Sequence, residues 1–215
     1  MEHSPESRLE ATVAIVVAVA LTAVLPNRVA NHPRWVVDVV AVLLAVVLLL
    51  ATRGRTEPHR GLRVTGLVLT GILTMANLAA GARLVVDLAR GQGIQTPATL
   101  LLTGGAIWLT NVIVFGLWYW ELDRGGRWGR ATTTHEDGGH DFLFPQWTVD
   151  PPFGDPEWEP SFVDYLYVSF TNATAFSPTD TLPLSRWAKM AMMVQSALSI
   201  VIVVLVVARA VNILH

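Results

Sequence analysis

The chain has 215 residues, of which 52% are hydrophobic and 15% charged, and its mean hydropathy is +0.46. Soluble domains carry about 25% charged residues, so this composition is that of a protein that meets lipid. The net charge of −2 offers no general attraction to nucleic acid, and the absence of cysteine excludes disulfides, thiolate metal sites and cysteine nucleophiles.

Five stretches are apolar enough to be read as membrane spans, each needing about 20 residues. The first, Leu9–Leu25, is an Ala/Val/Leu/Ile run closed by Pro26-Asn27. Its leader Met1–Arg8 mixes acid and base and no small-x-small site follows, so it reads as a retained helix rather than a signal peptide. Trp35–Ala51 is the second, followed by the basic loop Thr52–Arg63. The third covers Leu62–Ala89, the fourth Pro97–Trp120 and the fifth Leu184–Val211. Trp35, Trp118-Tyr119-Trp120 and Trp187 sit at their ends, where aromatic belts are expected. No internal repeat marks an inverted-repeat transporter, and no arginine ladder marks a voltage sensor. Arginine in place of lysine (Lys189 is the one lysine) and the Ala/Val bias match a high-GC bacterium, so the expected location is a bacterial cell membrane, crossed several times.

With the N-terminus inside and five crossings, ten of the 15 basic residues face the cytoplasm: Arg8, Arg53, Arg55, Arg60, Arg63, Arg124, Arg127, Arg130, Arg186 and Lys189. The positive-inside rule favours that orientation. If Phe162–Phe176 crossed completely there would be six spans, but 15 residues, several of them polar, are short for a crossing.

Polar residues inside apolar helices are the first places to look for function. Arg83 and Asp87 are four apart and share a helix face with each other, near the helix end, where pairing and snorkelling compete with an ion pathway. Asn111 is placed to hydrogen-bond a neighbouring helix or to line a cavity, and Gly104-Gly105 to let helices approach closely. Glu121, Asp123 and Arg124 read as a clamp onto the loop Arg124–Pro160. That loop carries His135-Glu136-Asp137 and His140-Asp141, whose glycine- and threonine-rich setting argues against a metal site, so none is expected. Its apolar residues Phe142–Trp147 and Trp158 are expected to fold back onto the helices.

Pro160-Ser161 and Asp164 signal the start of a short helix, with Tyr165 and Tyr167 as interfacial anchors. It leads into the polar elbow Thr171, Asn172, Thr174, Ser177, Thr179 and Asp180. These side chains either satisfy the elbow itself or face water or an ion. Gln195, Ser196 and Ser199 on the last helix share one face toward the elbow, as cavity-lining or interhelical groups.

Ser169–Pro183, S-F-T-N-A-T-A-F-S-P-T-D-T-L-P, resembles the pore loop of two-helix-type potassium channels, S-F-x-T-x-T-T-V-G-Y-G-D-x-x-P. Without gaps, Ser169-Phe170 fall on S-F, Thr174 and Ala175 on the paired threonines, Asp180 on the aspartate and Pro183 on the proline. Phe176-Ser177-Pro178-Thr179 stand where the family has V-G-Y-G, the glycines that allow carbonyls to point at the ion. The resemblance implies a homotetramer in the lipid bilayer passing a monovalent cation. It also implies a pore loop entered from outside, the reverse of the orientation the arginines favour.

The expectation is an all-α polytopic membrane protein of about five transmembrane helices plus a short re-entrant pore-type helix. Residues 1–96 form three N-terminal helices, and 97–215 a pore-like module: outer helix, polar loop 121–160, re-entrant helix 161–176, elbow 177–183 and inner helix 184–214. The constriction is expected at Thr171, Asn172, Thr174, Ala175, Phe176, Ser177, Pro178, Thr179 and Asp180, with Gln195, Ser199 and Asn111 along a cavity. No cofactor and no enzymatic activity are expected. The alternatives are a non-conducting membrane scaffold and a membrane-embedded enzyme.

Overall fold

The computed structural model describes residues 9–26, 42–43, 46, 60–91, 96–126, 129–130, 139–149, 158–174 and 180–214. The protein is mostly helical: α1 (Leu9–Val24), α2 (Arg60–Ala89), α3 (Pro97–Leu122), α4 (Phe162–Thr174) and α5 (Arg186–Leu214). Two-residue strands β1 (Phe142–Leu143) and β2 (Leu182–Pro183) pair antiparallel, with Phe142 opposite Pro183. Among the described residues, three segments are long and apolar enough to cross a membrane: Arg63–Ala89 in α2, Pro97–Gly125, which is α3 with the turn that follows it, and Arg186–Ile213 in α5. The second span expected from the sequence, Trp35–Ala51, lies almost wholly outside the described residues.

Helix ends follow local chemistry. Pro97 opens α3 where no intrahelical N–H is needed. At its other end Arg124 takes a left-handed backbone (φ 51°), and Gly125 and Gly126 follow at 77° and 79°. Such a turn suits glycine and is unusual for arginine. The Arg124 side chain is secured by an ion pair with Glu159 and by the Trp147 ring, 5.4 Å from its guanidinium carbon. One half of a capping box starts α4: the Asp164 carboxylate accepts from Ser161 N–H at 2.8 Å, and also from its hydroxyl at 2.9 Å. Ser185 Oγ accepts from Ala188 N–H at the start of α5.

Helix α3 is the axis on which the other helices pack. Down one face it meets α4 antiparallel. Trp120 stacks edge-on with Phe162, Val112 O accepts from Ser169 Oγ, and Trp108 Nε1 reaches Ala173 O. Where Gly116 faces Leu166, an added Cβ would stand 3.2 Å from the Leu166 backbone. Helix α5 also runs antiparallel to α3, from the Asp123 end, where Trp187 binds Asp141, to Val206 against Gly104. A Cβ on Gly104 would lie 2.7 Å from Val206 Cγ2, so this glycine sets the α3–α5 distance, whereas Gly105 faces open space.

The path of α4 follows from these contacts. It begins beside Asp123 and ends level with Trp108, about 15 residues or ~22 Å down α3. By Leu182 the chain is again at the Asp123 end, because β2 pairs with β1, Leu184 N–H donates to Asp141 O, and Asp141 N–H donates to Asp123. The start of α4 and the strand β2 therefore lie at the same end of the bundle. Arg63, Arg124, Arg130, Arg186 and Lys189 gather at that end, and Arg90 and Arg209 at the other.

Candidate functional site

The polar residues of α3, α4 and α5 converge on Gln195, which is 0% exposed. An amide side chain can accept two hydrogen bonds and donate two, and Gln195 makes all four. Its Oε1 accepts from Tyr119 Oη at 2.7 Å and from Asn172 Nδ2 at 2.8 Å. Its Nε2 donates to Ser169 O at 2.9 Å and to Ser169 Oγ at 2.6 Å. Ser169 Oγ in turn donates to Val112 O at 2.6 Å. One turn on, Asn111 Nδ2 donates to Ser199 Oγ at 3.0 Å, and Ser196 Oγ lies 3.0 Å from both Asn172 O and Oδ1. A buried amide left unpaired in such a setting is costly, so saturation at Gln195 fixes the positions of three helices together.

The last turn of α4 is bonded as well. Helix C-termini leave four carbonyls without intrahelical partners. Thr171 O accepts from Thr174 Oγ1, Asn172 O from Ser196 Oγ and Ala173 O from Trp108 Nε1. Thr171 Oγ1 bonds back to Tyr167 O at 2.9 Å.

A second cluster closes the α3 end. Asp123, 0% exposed, accepts from Tyr165 Oη at 2.5 Å and from Asp141 N–H at 2.8 Å. Burial pushes the Tyr165 hydroxyl well above its ordinary range, which keeps it protonated as the donor. Arg130 lies over the Tyr165 and Trp120 rings, at 5.1 and 5.7 Å, and donates to Trp120 O. Phe142 and Phe144 are buried against Tyr119, Tyr165, Trp158 and Trp187, so these aromatic residues of the loop do fold back onto the helices.

The expected site residues divide three ways. Asn111, Asn172, Gln195 and Ser199 are brought together, with Thr171 and Thr174 on the last turn of α4. Gln195 and Ser199 are enclosed between helices rather than facing open space, while Asn111 also borders a cavity. Asp180 is exposed at the return of the chain, and Ala175, Phe176, Ser177, Pro178 and Thr179 lie outside the described residues.

Two expectations need correcting. Tyr119 and Trp120 are buried inside the bundle instead of forming a belt, because α3 is its central helix. Tyr165 likewise is not an interfacial anchor but the buried partner of Asp123, whereas Tyr167 is exposed. Sequence reasoning missed Tyr119 and Ser169 as members of the Gln195 hub. The available signal was the eight-residue step from Asn111 to Tyr119, which puts both on one helix face.

Of the loop's candidate metal ligands, His135, Glu136 and Asp137 lie outside the described residues. His140 packs on Trp147, and Asp141 accepts from Trp187 Nε1 at 2.7 Å. Among the described residues no group of three or more His, Asp or Glu could hold a metal. No family model, no curated protein and no solved structure matches the chain.

Proposed function

We propose that this is a multi-pass cell-membrane protein whose copies assemble around the α4–α5 segment to form an ion-channel-like pore with a non-standard filter. The observation that carries the reading is the path of α4. Thirteen residues make a helix of about 20 Å, too short for a hydrocarbon core of about 30 Å, and the chain comes back to the end at which it entered. These two facts support reading the segment as re-entrant. Non-helical backbone at membrane depth is tolerated where it is buried in protein or lines water. If the short apolar helix α1 and the segment 35–51 cross along with α2, α3 and α5, the count is five spans plus the re-entrant helix. The negative end of the α4 dipole then lies deep in the bundle, an arrangement that favours a cation. The resemblance of Ser169–Pro183 to potassium-channel pore loops adds the tetramer and the monovalent ion as expectations.

A second reading is a non-conducting membrane scaffold, and a specific observation favours it. The carbonyls of Thr171, Asn172 and Ala173 already accept side-chain donors, and Met190, Met193, Val194, Val201, Val204 and Val207 leave the exposed surface of α5 apolar. Ion flux into liposomes holding the purified protein separates the two readings. A cation flux abolished by Ser177→Trp supports the pore. No flux of potassium or sodium from folded, assembled protein overturns it in favour of the scaffold.

A further inference from the structure

One buried amide stays outside the Gln195 hub. Asn77, on α2, is 4% exposed, yet its Oδ1 has no hydrogen-bond partner. It borders a cavity of about 360 Å³ between α2, α3 and α5. That volume falls within the range of about 300–1,000 Å³ usual for small-molecule sites.

Across from Asn77 stands Asn111, whose Nδ2 is committed to Ser199 and the Gln195 carbonyl. The remaining wall is aliphatic: Leu78, Val85, Leu198 and Ile202, with Gly81 leaving room beside Ile202. Ala82 and Val201, also on the wall, are exposed, so the mouth of the cavity is apolar. A water molecule is held by two to four polar partners, and among the described residues this wall offers two amides, one with its nitrogen already committed, so it favours an apolar occupant over water. Among the described residues no charged side chain lines the cavity, which disfavours an ionic ligand.

We infer that this cavity binds a neutral lipid-like molecule with a single hydroxyl, which donates to Asn77 Oδ1 while its apolar body lies against Leu78, Val85, Leu198 and Ile202. The chemistry is specific at one atom: an acceptor without a donor inside an aliphatic wall selects an alcohol over the ether or alkane of the same shape. Entry is from the apolar phase, past Ala82 and Val201. This site is independent of whether the α4 segment conducts.

The test uses the full chain in phosphatidylcholine nanodiscs and two photoreactive probes, a 1-dodecanol carrying a mid-chain diazirine and its methyl ether. Adducts are mapped by peptide mass spectrometry. The alcohol is expected to label Val85, Leu198 and Val201 above the exposed Val203 and Val207, and to exceed the ether by about fivefold, the size of one hydrogen bond. Asn77→Leu should remove the preference for the alcohol while keeping the apolar site. Ala82→Phe, at an exposed position, should block both probes without disturbing the fold, and it keeps the test valid if Asn77→Leu fails to fold. Equal labelling by alcohol and ether, or adducts spread evenly along α5, would overturn the inference.

Discussion

One amide nitrogen holds Ser169 twice: Gln195 Nε2 donates both to its hydroxyl, at 2.6 Å, and to its carbonyl, at 2.9 Å. Ser169 passes the connection to Val112 O on α3, so a single side chain on α5 locks α4 against the central helix. Replacing Gln195 with Leu keeps the volume roughly constant and leaves Tyr119, Asn172 and Ser169 short of partners. The expected loss is about 2 kcal/mol in unfolding free energy, since interhelical hydrogen bonds in membranes average ~0.6 kcal/mol each and orphaned buried groups cost ~1–3 kcal/mol. Unfolding in mixed micelles measures it. A double-mutant cycle with Tyr119→Phe should give a coupling of about 1 kcal/mol, and no coupling would mean the hub is not a unit.

The α3–α5 spacing offers a second prediction. A Cβ on Gly104 would press on Val206, a β-branched side chain with little rotamer freedom. Gly104→Ala should therefore destabilise by ~1–3 kcal/mol, as overpacked cores do, and Val206→Ala should recover most of that loss. Gly105→Ala, facing open space, should be neutral or slightly stabilising, because alanine favours the helix by about 1 kcal/mol. The thermal midpoints of Gly104→Ala, of the Gly104→Ala/Val206→Ala pair and of Gly105→Ala decide the matter. Equal effects at Gly104 and Gly105 would contradict the packing described.

Much of this organisation was legible in the residues. Apolar length marked α2, α3 and α5, and Pro160-Ser161 with Asp164 marked the start of α4. The aromatics of Phe142–Trp147 and Trp158 foretold a loop that packs back. What one-dimensional patterns did not reveal was which helix is central. Trp118-Tyr119-Trp120 has the composition of a belt wherever it occurs, and only the packing of α1, α2, α4 and α5 around α3 turns Tyr119 and Trp120 inward. The pairing of Asp123 with Tyr165 spans 42 residues and depends on the antiparallel fit of α4, so spacing along the chain does not encode it.

That pairing carries a third prediction. Asp123 is the one acceptor shared by the Tyr165 hydroxyl and the Asp141 amide. Asp123→Ala should release both, and with them the β1–β2 pairing that starts next to Asp141. Hydrogen exchange at the Asp141 and Leu184 amides should quicken by at least about tenfold, corresponding to ~1.4 kcal/mol of local stability. Tyr165→Phe removes one of the two bonds and should give a smaller increase. An unchanged rate at Asp141 in Asp123→Ala would show that the loop is held by its aromatic contacts alone.

The last prediction concerns topology. Because the chain contains no cysteine, single cysteines report position without a background to remove. Gly139 and Asp180 stand at the end of the bundle where α4 enters, and Arg90 at the opposite end, beyond α2. In sealed vesicles a membrane-impermeant maleimide should reach Gly139→Cys and Asp180→Cys from one side and Arg90→Cys from the other. If residues 162–176 crossed the bilayer completely, Asp180→Cys would react with Arg90→Cys instead. The same experiment fixes orientation. Arg63, Arg124, Arg130, Arg186 and Lys189 gather at the entry end, so the positive-inside rule puts Gly139→Cys and Asp180→Cys in the cytoplasm. Labelling of both from outside would instead match the direction in which potassium-channel pore loops enter, and would strengthen the pore reading over the scaffold.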